Sequence, residues 1–574
     1  MESPTLALVA AALVAMLIGT HASRAQDAGG LDNATCLGCH GSSDFSVPDG
    51  NGQMRSLSVS PDHFDQSVHG TLPCTACHTT ITAVPHKTPP MTLTQRREQI
   101  ATLCGSCHTA ALADYQNSIH GKKGVGGGNV NVAVCTDCHT AHSVTDPQLA
   151  ATRIAITKEC GACHREALAS YTDTYHGQMY VLGYANTATC SDCHTGHAVL
   201  PSSDPASSAS SKNVLATCRT CHQDATAGFA TFEPHATTDD FARYPSTWLA
   251  AKGAWAMIFG VFGICWLHSA LWFYRELRDR QQCRSRPHVR ADAVSQIKAQ
   301  QSAEPYVKRW SAAWRLAHLV FAASVILLVM TGLPLLFPNT AWAPVLERLM
   351  GGPTIVGIVH RVTAVIMIGG FAVHFSYVAL YLGRNWRTVS WFGPYSVLPT
   401  LQDGRDVVAM VKWFFGAGLR PEFDHWSYPQ KLDYWGSFSG VALLGVTGAV
   451  LWFTTLTAAV LPGWAFNVAT VVHGHESIFA AGYLFTVHYF VNHWRPDKFP
   501  IDIVMFTGAM PLEEFKREYG VEYARLMQSG QLQNYLVEAP SRPLTLGSTI
   551  FGLSLVTVSL VLLLLMVNGI SGSL

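Results

Sequence analysis

The sequence predicts an all-α chain: a largely irregular N-terminal segment built around a repeated cysteine motif, followed by a bundle of transmembrane helices. Three observations predict this class. The pentapeptide Cys-x-x-Cys-His occurs seven times between Cys36 and His222. The surrounding segment is so rich in Gly, Thr, Ser and Pro that it cannot build an ordinary apolar core. Apart from one apolar run at the N-terminus, every run long enough to cross a bilayer begins at or after Trp248.

Each motif places two thiols beside an imidazole, which is the arrangement that attaches c-type haem. The cysteines form thioethers with the two vinyl groups of one haem, and the histidine binds the iron as its proximal ligand. A zinc knuckle or a redox dithiol also uses Cys-x-x-Cys, but seven copies that each end in histidine favour haem. The predicted sites are Cys36/Cys39/His40, Cys74/Cys77/His78, Cys104/Cys107/His108, Cys135/Cys138/His139, Cys160/Cys163/His164, Cys190/Cys193/His194 and Cys218/Cys221/His222.

Composition agrees with an exported cytochrome that has a membrane portion. Of the 16 cysteines, 14 lie in the seven motifs, which a disulfide scaffold would not produce. The formal net charge is zero, so nothing indicates a nucleic-acid partner. Charged residues make up only 13% of the chain and hydrophobic ones 48%, which indicates membrane segments.

The chain divides into three predicted regions. Residues 1–25 are typical of a secretory signal peptide, with an uncleaved anchor as the alternative. Residues 26–245 form a periplasmic domain with seven haems, because c-type haem is attached after export. Residues 246–574 form a membrane domain with a di-haem core over about 310–495.

Histidines outside the motifs supply candidates for the distal iron ligands. A repeat relates Cys104–His142 to Cys160–His197, and Cys36–His86 is a looser copy. Seven histidines fall at repeated positions, one for each iron, and His63 is then the spare, although it could replace His69. A surface or propionate-bonding role is the alternative for any one of them. Irons with two histidine ligands carry electrons and have no position open to substrate. The predicted distal ligands are His69, His86, His120, His142, His176, His197 and His235.

Six apolar segments follow the motif region, and the charge of their loops predicts their orientation. Residues 275–290 carry six arginines against two acidic residues, so this loop is predicted to be cytoplasmic. The first helix then runs from the periplasm to the cytoplasm of a bacterial inner membrane. The predicted spans are Trp248–Tyr274, Ala312–Phe337, Thr354–Leu382, Gly436–Val460, Val468–Asn492 and Leu546–Val567.

Histidines within these spans predict two b-type haems, stacked in a di-haem cytochrome b bundle. Histidine is costly in lipid and marks a functional site by default. His360 and His473 fall near the periplasmic ends of their helices and are predicted to bind one haem. His488 falls near the cytoplasmic end and is predicted to bind the other, with either His318 or His374. For His268 and His475, one interhelical hydrogen bond is an adequate explanation.

Two stretches of the membrane half resemble known families. The segments RLAHLVFAASVILLVMTGLPLLFP and SYPQKLDYW resemble the cytochrome b (gamma) subunit of formate dehydrogenases and nickel–iron hydrogenases. The stretch VNHWRPDKFPIDIVMFTGAMPLEEFKREYG, with the motif-rich front half, resembles the fused multihaem cytochrome c–cytochrome b quinone oxidoreductases of metal-respiring bacteria. The resemblance implies b-haem ligands at His318, His360, His473 and His488, and makes His374 the extra histidine. The 15-residue separation of His473 and His488 exceeds the family's by one, so either the helix bulges or the ligand is another residue.

Cationic residues at helix ends are candidate partners of haem propionates. These are Arg315, Arg361, Lys431 and Arg495, of which Arg361 is favoured because it adjoins His360 on the periplasmic side. A positive-inside or snorkelling role is the alternative for Lys431 and Arg495. Candidate groups of a quinone pocket are Lys431, Tyr434, Asn492 and His493.

The predicted function is electron transfer between membrane quinone and periplasmic redox proteins, by way of two b haems and seven c haems. Quinol oxidation with outward flow is the hypothesis, and the reverse direction is equally compatible with the residues. Two alternatives are an anchor and relay for a separate catalytic subunit, and a periplasmic reductase of nitrite, hydroxylamine or a sulfur oxyanion. The reductase would need one iron with an open distal side.

Overall fold

A computed structural model of the chain describes residues 31–48, 54–86, 93–124, 128–184, 186–284 and 305–573. The predicted signal peptide lies outside these ranges. The structure is 65% helix and 3% strand, which confirms the all-α class. The chain forms two compact units: residues 1–159 with 196–200, and residues 160–195 with 201–574.

The first unit consists of short helices and one small hairpin. Several helices begin at a residue whose side chain accepts a backbone N–H, such as Asp32, Ser60 and Ser118. The hairpin pairs Val47 with Arg55. The elements are α1 (Asn33–His40), β1 (Ser46–Pro48), β2 (Met54–Ser56), α2 (Pro61–Asp65), α3 (Cys74–Cys77), α4 (Leu93–Gly105), α5 (Thr109–Asn117), α6 (Ile119–Lys123) and α7 (Cys135–His139). The division between the units falls within α8 (Ala150–Cys163).

The second unit begins with the last three motifs and continues into long apolar helices. Its motif part contains α9 (Arg165–Thr172), α10 (Tyr175–Val181), α11 (Cys190–His194), α12 (Val214–Arg219) and a 3₁₀ turn at Phe229–Thr231. Its remaining elements are α13 (Pro245–Arg284), β3 (Tyr306–Lys308), α14 (Ala312–Leu336), α15 (Ala343–Leu349), α16 (Pro353–Asn385), α17 (Leu401–Phe414), α18 (Tyr428–Trp452), α19 (Thr454–Val460), α20 (Trp464–Tyr483), α21 (Val504–Thr507), β4 (Ala509–Pro511), α22 (Leu512–Glu518), α23 (Gly520–Gln528), a 3₁₀ turn at Leu532–Tyr535, β5 (Leu536–Val537) and α24 (Arg542–Ser573).

Five of the described helices are long and apolar enough to span a membrane: α13, α14, α16, α18 and α24. Between 11% and 22% of the residues in their most apolar windows are buried in the protein, so apolar side chains cover their outer faces. Such surfaces are expected against lipid. The chain is therefore a membrane protein by these criteria.

The sixth predicted span, Val468–Asn492, is not among these five helices, and it stays a prediction. This segment is helical, but α20 ends at Tyr483 and continues as two π turns, Leu484–His488 and Phe490–Trp494. Three histidines and Glu476 also make it more polar than the other spans. The helix α20 packs against α13 and α18, in the interior of the bundle.

A small sheet and an aromatic core close one end of the bundle. The strand order is β4-β3-β5, all antiparallel, with Val307 opposite Met510 and Leu536. Trp272 of α13 packs with buried side chains of α17, α22 and α23, including Phe414, Phe515 and Leu526. This core joins α13, through Trp272, to the segment after Trp494.

Candidate functional site

In five of the seven motifs both cysteines lie on one helical turn, which places their side chains on the same face of the helix. Such turns make up all of α3, α7 and α11, and α1 ends in one. In α7 and α11 an aspartate between the two cysteines accepts the backbone N–H of the residue before the helix. Asp137 binds Val134 N at 2.7 Å and Asp192 binds Thr189 N at 2.6 Å. This local cap fixes where each turn begins.

The histidine of nearly every motif faces a second histidine from elsewhere in its own unit. In the first unit the ring centroids of four such pairs are 6.0–6.2 Å apart: His40 and His86, His78 and His142, His108 and His69, His139 and His197. In the second unit His222 faces His176 at 6.1 Å and His194 faces His235 at 6.3 Å. His142, only three residues after His139, faces His78 and not its own motif.

These separations fit one metal ion between each pair of rings. A metal–imidazole bond is about 2 Å long, so two rings that bind one metal from opposite sides have centroids about 6 Å apart. The predicted distal role of His69, rather than His63, matches this geometry, because His69 is the one that faces a motif histidine. His164 and His120 belong to different units and remain predicted ligands.

Burial keeps the imidazole rings neutral, as a metal ligand requires. It lowers the pKa of His78, His139 and His142 in the first unit, and of His176, His194 and His235 in the second. The neighbouring rings add a smaller effect in the same direction for most of them. None of these rings therefore gains stability from protonation at neutral pH.

A His-Gly pair positions two of the distal candidates. A Cβ atom on Gly121 would lie 2.1 Å from the carbonyl oxygen of Tyr115, and one on Gly177 would lie 2.0 Å from that of Tyr171. Only glycine permits this approach of the two backbones. The tyrosine hydroxyls in turn donate to Ala133 O at 3.0 Å and Ala188 O at 2.6 Å, just before the next motif. The spacing of tyrosine, histidine and glycine in the repeat is therefore explained by this packing.

Consecutive motifs lie in pairs, with their first cysteines in hydrogen-bond contact. Cys36 contacts Cys74, Cys104 contacts Cys135, and Cys160 contacts Cys190. The shared hydrogen bond raises the pKa of Cys104 and of Cys190 above the usual range for a thiol. The three pairs follow the three copies of the sequence repeat.

The second cysteine of each motif is predicted to form one of the two thioethers to its haem, and these cysteines differ in exposure. Cys39 and Cys107 have exposed side chains, whereas Cys138 is half-buried. The hydroxyl of Ser106 lies 3.9 Å from Cys107 Sγ. None of the motif cysteines lies in a disulfide. The second thioether of each motif stays a prediction, at Cys39, Cys77, Cys107, Cys138, Cys163, Cys193 and Cys221.

Two further histidine pairs lie in the membrane bundle, at two levels of α20 and its extension. His360 of α16 faces His473, with ring centroids 6.5 Å apart, and His318 of α14 faces His488 at 6.4 Å. His488 ends the π turn Leu484–His488, so a bulge of the helix lies between His473 and His488. A π turn inserts one residue into a helix and is frequent at functional sites.

The other bundle histidines face different partners. His374 shares a hydrogen bond with Tyr434 Oη at 2.9 Å, His268 with Tyr428 Oη at 2.6 Å, and His475 with its own helix at Val471 O. Of the two alternatives for the second ring at His488, the geometry therefore favours His318 over His374.

Acceptors at Nδ1 hold three of the four paired bundle rings. Thr331 Oγ1 lies 2.8 Å from His360 Nδ1, Thr447 Oγ1 lies 3.0 Å from His473 Nδ1, and Asp433 Oδ2 lies 2.9 Å from His488 Nδ1. A bond at Nδ1 fixes the tautomer that presents Nε2 to a metal. Sequence reasoning missed all three acceptors. The signal available was Asp433, a lone acidic residue near the start of an apolar helix.

The four predicted cationic partners of propionates divide into two groups. Lys431 Nζ binds Asp403 at 2.9 Å, and buried Arg495 binds Asp497 and Glu518. Arg315 donates to the carbonyl of Phe506 and Arg361 lies over Trp452, and neither has a carboxylate partner among the described residues. Arg315 and Arg361 are thus the two that remain available to an anionic group.

The predicted quinone-pocket groups are mostly engaged with protein. Tyr434 pairs with His374 and Lys431 with Asp403. Asn492 donates to His488 O at 2.9 Å. The Nδ1 atom of His493 is buried without a hydrogen-bond partner in the described structure.

The seventh motif is bonded to the bundle within the second unit, which the sequence did not indicate. Asn467 Nδ2 donates to Glu233 O at 2.9 Å, and Asn467 Oδ1 accepts from Glu233 N at 3.2 Å. Gly463 N donates to Thr231 Oγ1 at 2.6 Å, and Thr226 Oγ1 donates to Ala458 O at 3.0 Å. A cavity of about 300 Å³ lies there, lined by residues that include Cys221, His222, Phe229, Thr454 and Ala458. The cavity adjoins the ring of His222.

Comparison with protein-family models, with curated proteins and with solved structures finds no match to this chain.

Proposed function

We propose that this chain binds seven c-type and two b-type haems and passes electrons between membrane quinone and periplasmic redox partners. The observation that carries the proposal is the eight facing histidine pairs with ring centroids 6.0–6.5 Å apart, six in the motif segment and two in the bundle. A haem held in this way supplies reversible one-electron chemistry at its iron. The protein holds, spaces and shields these groups.

In the motif segment the cysteines would hold each haem covalently, and the paired histidines would bind its iron. This ligation suits electron transfer, because it leaves no position for a substrate. It also counts against a nitrite, hydroxylamine or sulfur-oxyanion reductase, since six of the seven motif histidines already face a second ring. The sequence motif places this segment outside the cytoplasm, where c-type haem is attached.

In the bundle the ligands would be His360 with His473, and His318 with His488. Thr331 and Thr447 orient the first pair, and Asp433 orients His488 of the second. Arg361 beside the first pair and Arg315 near the second would neutralise propionates. The apolar faces of α14, α16 and α18 keep water from both levels.

A lipid-soluble two-electron carrier suits a bundle with two levels, and quinone is the proposed one. Oxidation of one quinol releases two electrons and two protons, so the pocket needs a group that accepts hydrogen bonds and an exit for protons. His493, with its unpartnered buried Nδ1, is the candidate of the four that is free to meet a quinone oxygen. Outward flow from quinol to the motif segment is the proposed direction.

Haem stoichiometry combined with quinol-driven reduction tests the proposal. Purified protein should yield two haems per chain on acid–acetone extraction and retain seven in the residue. A short-chain quinol added to membranes should reduce both classes, with the extractable class first. The matched control is the same membrane preparation supplied with a soluble reductant.

Two outcomes would overturn the proposal. Extraction that releases no haem would leave the bundle without a redox role. Extractable haem that stays oxidised with quinol, while the covalent haem is reduced by a soluble donor, would remove the quinone. A stoichiometrically co-purified large subunit would instead support the anchor alternative.

A further inference from the structure

The two histidine levels of the bundle differ in the charge of the group behind the ring. At the level of His360 and His473 both Nδ1 atoms face threonine hydroxyls. Each hydroxyl gives its own proton to a backbone carbonyl, Leu327 O at 2.7 Å for Thr331 and Leu443 O at 2.8 Å for Thr447. The threonine oxygens therefore accept from the imidazoles as neutral groups.

At the other level the acceptor is a carboxylate. Asp433 Oδ2 lies 2.9 Å from His488 Nδ1, and Oδ1 accepts from Tyr483 Oη at 2.9 Å. The side chains of His488 and Asp433 are only 22% and 14% exposed, so water screens this contact weakly. Tyr483 thus donates to the carboxylate oxygen that the His488 ring does not use.

A carboxylate that accepts from a metal-bound imidazole changes the reduction potential of the metal more than a hydroxyl does. It draws the Nδ1 proton toward itself and makes Nε2 a stronger donor. Its negative charge also favours the more positive, oxidised state of the iron by direct attraction across a poorly screened distance. Both effects lower the reduction potential of a haem bound there.

We propose that Asp433 is a positioning residue that makes the haem held by His318 and His488 the lower-potential member of the bundle pair. The inference rests on the proposed function and adds the direction in which electron transfer between the two levels is favourable. Transfer of one electron from a haem held at this level to a haem held by His360 and His473 would then be favourable and would need no proton. The second level is the one nearer Asn467 and the seventh motif along α20.

The test is a potentiometric titration of the acid–acetone-extractable haem in the full-length protein, at one fixed pH. His318→Ala identifies the component that belongs to this level, because that component disappears. Asp433→Asn keeps an acceptor at Nδ1 but removes the charge. It should raise the potential of this component by at least about 59 mV, a tenfold change in the ratio of reduced to oxidised haem. The other component should stay unchanged, and Asp433→Glu should restore the low value.

Tyr483→Phe gives a second, independent measurement that keeps the carboxylate. Loss of the tyrosine donor concentrates the negative charge on the oxygens of Asp433, so the same component should fall in potential. If Asp433→Asn leaves both potentials unchanged with both haems bound, the inference is wrong and the proposed function stands. If Asp433→Asn loses the haem, an unchanged or raised potential in Tyr483→Phe overturns the inference. Wild-type protein without extractable haem refutes the proposed function itself.

Discussion

His63 and His69 lie six residues apart, but only the ring of His69 faces a motif histidine, His108, at 6.0 Å. His69→Ala should therefore leave the iron at His108 with a single protein ligand. The expected result is a high-spin, five-coordinate signal from one haem in seven, measured by the absorption and electron paramagnetic resonance spectra of the purified protein. His63→Ala is the matched control and should keep all seven haems low-spin. The opposite pattern would make His63 the ligand.

His318 and His374 give a second residue-scale prediction, because both lie in the bundle and only His318 faces His488. His318→Ala should reduce the acid–acetone-extractable haem from two to one per chain. His374→Ala removes the hydrogen bond to Tyr434 and the ring contact with Trp314, and should leave two. If His374→Ala loses a haem and His318→Ala does not, His374 is the ligand opposite His488 and His318 is not.

The difference between these two histidines also shows what sequence could decide. The spacing along one helix related His473 to His488, because 15 residues fix their relative height. Nothing in the sequence decided which of two other helices brings a ring to His488, since that choice depends on helix packing. The acceptors Thr331 and Thr447 were hidden for the same reason, because they lie 29 and 26 residues from the rings they hold.

At the scale of an element, the segment after Trp494 is held by a buried ionic cluster. The Lys498 ammonium contacts Asp502 at 2.6 Å, Glu518 at 3.3 Å and also Glu514. Burial opposes its charge, but the carboxylates raise the pKa of Lys498 above the ordinary value. The cluster thus ties the end of the last π turn to α22.

Lys498→Met should destabilise the bundle by about 3–5 kcal/mol, because it leaves buried carboxylates without their cation. The measurement is the free energy of unfolding in detergent, followed by helical circular dichroism. The matched control is Arg517→Met: half of the Arg517 side chain is exposed, 3.5 Å from Asp497, and its loss should cost about 0–1 kcal/mol. Equal effects of the two variants would show that Lys498 is not an anchor of this segment.

Elements were predicted with uneven success, and the reason is physical. Apolar length alone located α13, α14, α16, α18 and α24, because a bilayer imposes that length on any spanning helix. The sixth predicted span, Val468–Asn492, differs from these helices, because histidines, Glu476 and π turns interrupt its apolar run. In the motif segment the short helices follow the positions of the motifs, and sequence alone predicted only their presence.

Over the whole molecule, the motif segment and the bundle were predicted as separate domains, and the bonds between the seventh motif and the bundle were not. These bonds join the backbone of Glu233 to the side chain of Asn467, and the hydroxyls of two threonines to the backbone of Gly463 and Ala458. None of these residues belongs to a recognisable pattern. They are nevertheless the described contacts that hold His222 next to the ends of α19 and α20. The proposed electron path depends on a short distance between the seventh motif and the bundle.

Asn467→Ala tests this dependence. It removes both hydrogen bonds to Glu233 and leaves the partly buried backbone N–H and C=O of Glu233 without that partner, at a cost of about 1–3 kcal/mol. With the junction loosened, quinol should reduce the extractable haem at the wild-type rate and the covalent haem more slowly, as followed by stopped-flow absorbance at the two sets of bands. Asn568→Ala is the matched control, because Asn568 bonds only the Trp342 indole within the bundle, at 3.0 Å. Slower reduction of both haem classes in Asn467→Ala would indicate damage to the bundle, and unchanged rates of both would show that electrons enter the motif segment elsewhere.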